Sequence, residues 1–83
     1  MNDHAKVLFF ATLREKAGIR EAVIEFPPGS RIADIKKQLL EMYPNLKPSM
    51  ETIIVAMNHE FAFDENLVQD GSEIALFPPV SGG

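Results

Sequence analysis

The sequence predicts an α+β fold: a small mixed sheet of about five strands with one main helix on one face. Three observations carry this. Short apolar runs rich in β-branched and aromatic residues recur along the chain, one amphipathic helical stretch interrupts them, and at 83 residues there is room for one such layer pair only. The chain is read as one domain, 1–83, with 78–83 as a flexible C-terminal tail.

Lys6-Val7-Leu8-Phe9-Phe10-Ala11 is the first strand. Both of its faces are apolar, with Val7, Phe9 and Ala11 on one and Leu8 and Phe10 on the other. Such a strand is covered twice or docks half of itself on a partner. Thr12 to Ala17 reads as one or two helical turns stopped by Gly18. Glu21-Ala22-Val23-Ile24-Glu25-Phe26 is the second strand, ended by Pro27-Pro28-Gly29.

Ser30 suits a helix N-cap, but Ala33 stands where the Glu or Gln of a capping box would be. Ile32, Ile35, Leu39 and either Met42 or Tyr43 share one helical face, and Arg31, Asp34, Lys37, Gln38 and Glu41 mark the wet side. Pro44 ends the helix near Tyr43. A polar connection from Asn45 to Met50 follows. Thr52 to Asn58 is the third strand, Glu60-Phe61-Ala62-Phe63 a short fourth, with His59 at the turn between them. Turn residues Asp64-Glu65-Asn66 and Asp70-Gly71 lead into the last strand, Glu73-Ile74-Ala75-Leu76-Phe77.

The first and last strands are the most apolar, so they are placed side by side in the middle of the sheet, parallel to each other. That arrangement is a β-grasp, the ubiquitin-like roll. One helix covers one side of the sheet, so Leu8 or Phe10, Phe61, and Ala75 or Phe77 should project from the open face. An uncovered apolar patch of this kind implies a partner.

Composition narrows the chemistry. Without cysteine there is no disulfide, thiolate metal site or thiol nucleophile. A net charge of −4 argues against nucleic-acid binding, which needs a clustered basic face; the adjacent pair Lys36-Lys37 is explained as a solvated helix face. No apolar run approaches bilayer length, and Met1-Asn2-Asp3-His4 does not read as a secretory signal. A cytoplasmic domain with no nucleic-acid and no membrane partner is expected. His4 and His59 lack neighbours at metal-ligand spacing, the serines have no nucleophile setting, Asp64, Glu65 and Asp70 read as turn formers, and no P-loop is present. No metal and no stably bound cofactor are expected, and the chain reads as a carrier or substrate, not a catalyst.

The end of the chain, Phe77-Pro78-Pro79-Val80-Ser81-Gly82-Gly83, runs from a strand through a stiff diproline into Gly-Gly. The prolines donate no N–H, so the ladder should stop there. The four residues after Pro79 reach about 13–14 Å when extended. Lacking Cβ atoms, Gly82 and Gly83 can enter a slot closed to other residues. A Gly-rich end is also the commonest place for fraying, and on the tail alone the two readings stand level. The remaining reactive group is the Gly83 carboxylate. It is a poor electrophile until adenylated; a sulfur nucleophile could then leave a thiocarboxylate. The same features would serve an isopeptide-forming modifier.

With these residues in view, the chain resembles the small subunit of molybdopterin synthase over nearly its whole length. The resembling segments are Lys6 to Ala11 with Arg14-Glu15, Ala56-Met57-Asn58, Asp70-Gly71-Ser72-Glu73, and above all the F-P-P-V-S-G-G end. The resemblance implies a β-grasp fold and a non-catalytic sulfur-donor subunit. It implies that a ubiquitin-activating-like adenylyltransferase consumes ATP to adenylate Gly83 and that a sulfur donor converts it to a thiocarboxylate. The tail then enters the large synthase subunit, in an assembly of two small and two large subunits, and gives sulfur to cyclic pyranopterin monophosphate for the dithiolene of molybdopterin. By the same resemblance Gly83 bears the sulfur and Gly82 permits access. Phe10, Phe61 and Phe77 are apolar contacts for the large subunit and the activating enzyme, Arg14 is a polar contact there, and Pro78, Pro79, Val80 and Ser81 belong to the docked tail. Phe61 stands where the family often carries another apolar residue. The alternatives are a β-grasp carrier for thiamin or tRNA thiolation, a ubiquitin-like protein modifier, and a binding domain whose tail does nothing.

Overall fold

Alternating apolar side chains build a five-stranded sheet from β1 (Asp3–Phe9), β2 (Glu21–Phe26), β3 (Ile54–Met57), β4 (Glu60–Ala62) and β5 (Ser72–Phe77). The structure is a computed structural model that describes residues 1–79. Strand order is β2-β1-β5-β3-β4. β1 and β5 are parallel, and the other neighbours are antiparallel. This is the expected β-grasp, with the first and last strands paired at its centre. The expectations for Val80, Ser81, Gly82 and Gly83 lie outside the described residues.

The helix α2 (Ile32–Met42) covers one face. Ile32, Ile35 and Leu39 are buried with Val7, Phe9, Ile24, Phe26, Val55, Ile74 and Leu76 in one core. Full burial of side chains this size is worth about 1.5–3 kcal/mol each. Met42 is exposed, and Tyr43 takes the last core position, its ring edge-on to Phe9 with centroids 5.5 Å apart. Pro44 stops the helix, and the connection that follows is a 3₁₀ helix, Pro44–Ser49, anchored by buried Leu46.

Several boundaries differ from the sequence reading: β3 is Ile54–Met57 rather than Thr52 to Asn58, β4 stops at Ala62 rather than Phe63, β5 starts at Ser72 rather than Glu73, and three further differences have a visible cause. β1 begins at Asp3, not Lys6, because backbone pairing extends it: Asp3 and His4 face Phe26 and Glu25. His4 N–H also donates to Asp70 Oδ1 at 2.8 Å and its carbonyl accepts from Gly71 N–H at 2.7 Å. At its other end β1 stops before Ala11, which leaves the sheet with φ 53° and ψ −129° and is exposed. Leu13 N–H donates to Phe10 C=O at 3.1 Å, closing a turn with Ala11 in a position that favours glycine. Strain of this kind costs about 1–3 kcal/mol. The turn drops Leu13, fully buried, into the core as α1 (Thr12–Ala17) begins. Gly18 closes α1 in the left-handed region, φ 76°, its N–H donating to Arg14 O at 2.9 Å.

The cap of α2 is the third correction. Arg31, not Ser30, is the N-cap. The Ser30 hydroxyl instead donates to Pro27 O at 2.6 Å. Asp34 accepts from Arg31 N–H at 2.8 Å; a guanidinium has no acceptor with which to reciprocate. The next helix N–H groups find loop carbonyls, Ile32 donating to Asn66 O at 2.9 Å and Ala33 to Asp64 O at 3.1 Å. Lys36 is not simply solvated: it is half-buried, with Nζ 2.7 Å from Asp64 Oδ1. Among the described residues no helix is long and apolar enough to cross a membrane.

Candidate functional site: the open sheet face at the root of the tail

Which side chains occupy the sheet face away from α2 is set by parity. Leu8, Ala75, Ala56 and Phe61 lie in one cross-strand row. Beside it, Ile54 pairs with Phe77, and Phe10 N–H donates to Leu76 O at 3.1 Å, so the Phe10 ring meets that of Phe77. The two rings stack with centroids 4.7 Å apart and planes 12° from parallel. Phe10 is 41% exposed and Phe61 76%. A shallow cavity of about 350 Å³ runs between them, lined by Leu8, Phe10, Ala56, Phe61, Ala75 and Phe77 together with His59 and Glu73.

Farther from the tail the same face turns polar. Lys6 lies between Val23 and Glu73, and His4 faces Glu25. The apolar half therefore sits at the C-terminal ends of β1 and β5. Because those strands are parallel, both end on the same side, where Pro78 and Pro79 leave the sheet. The chain's exit and its uncovered apolar surface coincide for that topological reason.

The structure brings Phe10, Phe77 and Phe61 onto one face, with half-buried Pro78 and exposed Pro79 at its margin. Arg14, exposed on α1, lines an adjoining cleft of about 490 Å³ with Leu8, Phe9, Phe10, Arg20 and Glu21. The sequence reading does not single out Ile54, Ala56 or Arg20. Period-two parity in β3 was the available signal for the first two. Arg20 is placed by the turn between α1 and β2, where its carbonyl accepts from Phe9 N–H at 2.9 Å. His59 does sit in the β3–β4 turn: Asn58 and His59 both have positive φ, 53° and 72°, the backbone of a two-residue type I′ hairpin. Asn58 ties this hairpin to β5, accepting through Oδ1 from Glu73 N–H at 2.9 Å and donating its own N–H to Glu73 O at 2.8 Å. Among the described residues no three His, Asp or Glu side chains cluster so as to hold a metal ion. The face offers apolar area with His59 and Glu73 at its margin.

A family model for the ThiS family matches residues 7–83. This chain belongs to the ThiS family. Among its relatives, the molybdopterin synthase sulfur carrier subunit of Chlamydomonas reinhardtii is 39% identical over 80 residues, covering 94% of this chain and 96% of the relative. The protein of the same description from Caenorhabditis elegans is 38% identical, covering 94% and 95%. Among solved structures, SAMP1 from Haloferax volcanii superposes with a TM-score of 0.88 at 31% identity, over 96% of this chain and 99% of the other. The family match runs from Val7 in the first strand to Gly83, so this ThiS-family member carries both the sheet face and the Gly-Gly residues on one matched length.

Proposed function

We infer that this chain is the sulfur-carrier subunit of a molybdopterin synthase. The observation that carries the reading is the near-full-length likeness to sulfur carrier subunits of that enzyme, in a chain that carries the Phe-Pro-Pro-Val-Ser-Gly-Gly segment. The placement of the apolar face at the tail's root supports it.

A carboxylate resists nucleophiles because its charge repels them and its leaving group would be oxide. In this proposal a ubiquitin-activating-like adenylyltransferase joins the Gly83 carboxylate to AMP from ATP, releasing pyrophosphate. A sulfur donor then displaces AMP and leaves a thiocarboxylate on Gly83. The large subunit takes up the loaded end and the sulfur passes to cyclic pyranopterin monophosphate, water restoring the Gly83 carboxylate; a second loaded carrier supplies the second sulfur of the dithiolene. This chain's share is binding and presentation. Phe10, Phe61 and Phe77 supply apolar contact area, Arg14 a polar contact beside it, and Pro78 and Pro79 a stiff lead into the Val80-Ser81-Gly82-Gly83 segment. The chain itself supplies no catalytic group, and ATP is consumed by the partner.

The test is an intact-mass measurement after incubation with ATP, the activating enzyme and a sulfur source. One oxygen-to-sulfur exchange is expected, followed by loss of that sulfur when large subunit and pterin precursor are added. An unchanged mass refutes the reading. Conjugates on lysine would point instead to a ubiquitin-like modifier, and discharge only to a thiazole precursor or tRNA to a carrier for another pathway.

A further inference from the structure

Arg14 and Arg20 come from different elements, α1 and the turn before β2, yet line the same cleft. Neither guanidinium has an ion-pair partner within 4.0 Å among the described residues, where the one such pair is Lys36 with Asp64. The cleft also holds the Glu21 carboxylate, so its lining carries two positive groups and one negative. Both arginines are exposed on a chain whose net charge is −4. Leu8, Phe9 and Phe10 supply its apolar lining, and Leu8 and Phe10 belong also to the cavity on the open sheet face. The two depressions are therefore one continuous surface, apolar across the sheet and cationic at one flank.

We propose that the Arg14–Arg20 cleft receives a carboxylate-bearing segment of the large subunit, an acidic side chain next to an apolar one, and that Arg20 is the residue that orients docking. The proposal rests on the carrier reading above. A planar guanidinium pairs with a carboxylate through two parallel N–H donors, while the neighbouring apolar side chain continues over Leu8 and Phe10. The position of the charge matters as much as its sign. Phe10 and Phe77 lie near the sheet centre and Phe61 toward the β4 edge, whereas both arginines lie on the β1–β2 side. Apolar contact alone is non-directional. A charged contact on one flank selects one rotation of the carrier against its partner, which delivery of Gly83 to a fixed pocket requires.

Binding of the wild-type protein, Arg20→Lys, Arg20→Ala and Arg20→Glu to the large subunit would be measured at low salt and at about 0.5 M salt, where charges are screened beyond a few Å. At low salt Arg20→Glu should bind about tenfold more weakly, chiefly through a slower association rate. Arg20→Ala should fall between it and wild type, and Arg20→Lys should recover part of the loss. The differences should shrink at high salt, with melting temperatures unchanged because Arg20 is exposed. Arg20→Glu binding within about twofold of wild type at low salt, or losses equal at both salts, would overturn the proposal while leaving the carrier reading standing. Impaired adenylation with large-subunit binding intact would also overturn it, assigning the cleft to the activating enzyme. Failure of the wild-type protein to bind the large subunit at either salt would remove the carrier reading and this proposal together.

Discussion

Ala11 and Gly18 bracket α1, and both hold positive φ, 53° and 76°, though only one of them lacks a side chain. The two positions predict opposite outcomes for opposite substitutions. A Cβ built on Gly18 meets nothing within 4 Å, so Gly18→Ala should cost the left-handed backbone penalty of about 1–2 kcal/mol, offset by about 0.4–1 kcal/mol of unfolded-chain entropy, a net loss of about 1 kcal/mol or less. Ala11→Gly removes strain of about 1–3 kcal/mol and adds back unfolded-chain entropy of about 0.5–1 kcal/mol, so it should stabilise by about 1 kcal/mol. Urea unfolding with unchanged m-values checks both. A less stable Ala11→Gly variant would show that the turn is not strained.

Burial separates structural from presenting side chains. Leu39→Ala, in a side chain with no exposure, should destabilise by about 2–5 kcal/mol. Phe61→Ala should change stability by no more than about 0.5 kcal/mol, yet weaken large-subunit binding by about 1–2 kcal/mol if Phe61 is an interface anchor. Denaturation and calorimetric titration of the same two variants give the contrast. Equal stability losses would place Phe61 in the core.

Phe77→Asp puts a carboxylate against the Phe10 ring without touching the α2 side of the sheet. It removes an aromatic pair worth about 0.5–1.5 kcal/mol, so the melting temperature should fall by a few degrees, about 4–8 °C per kcal/mol for a domain this size. Large-subunit affinity should fall more than tenfold, the signature of a desolvated centre. Circular dichroism and binding titration read the two effects. Global unfolding of the variant would mean that the face is structural.

Removal of Gly83 should abolish thiocarboxylate formation and sulfur transfer while leaving the melting temperature within about 1 °C, since the buried core is built from residues between Ala5 and Leu76 and chain ends tolerate truncation. Intact mass and a melting curve are sufficient. Sulfur transfer by the truncated protein would refute the proposed chemistry.

The order of elements, the central pairing of first and last strands and the open apolar face were all legible in the sequence, because each follows from side-chain alternation and from how few helices are available to cover a sheet. What was not legible depended on backbone or on distant groups. Asp3 and His4 join β1 through ladder bonds and the Asp70 carboxylate, which a polar stretch does not advertise. The cap of α2 shifts to Arg31 because carbonyls of Asp64 and Asn66, thirty residues on, take the helix's first free N–H groups. Ala11 continues an apolar alternation on paper and breaks it in space. Arg20 reaches the site only because a turn returns β2 beside the end of β1.

The strand made last of the five lies in the middle of the sheet, between β1 and β3. During synthesis the ribosome must therefore deliver β5 before β1 gains its second neighbour or α2 a complete floor, and the many pairings distant in sequence slow closure further. A fragment interrupted before Ser72 would lack both the assembled face and the exit strand beside it. Partners that read the two together would thus engage finished carriers and pass over incomplete ones, an inspection step that comes from strand order alone.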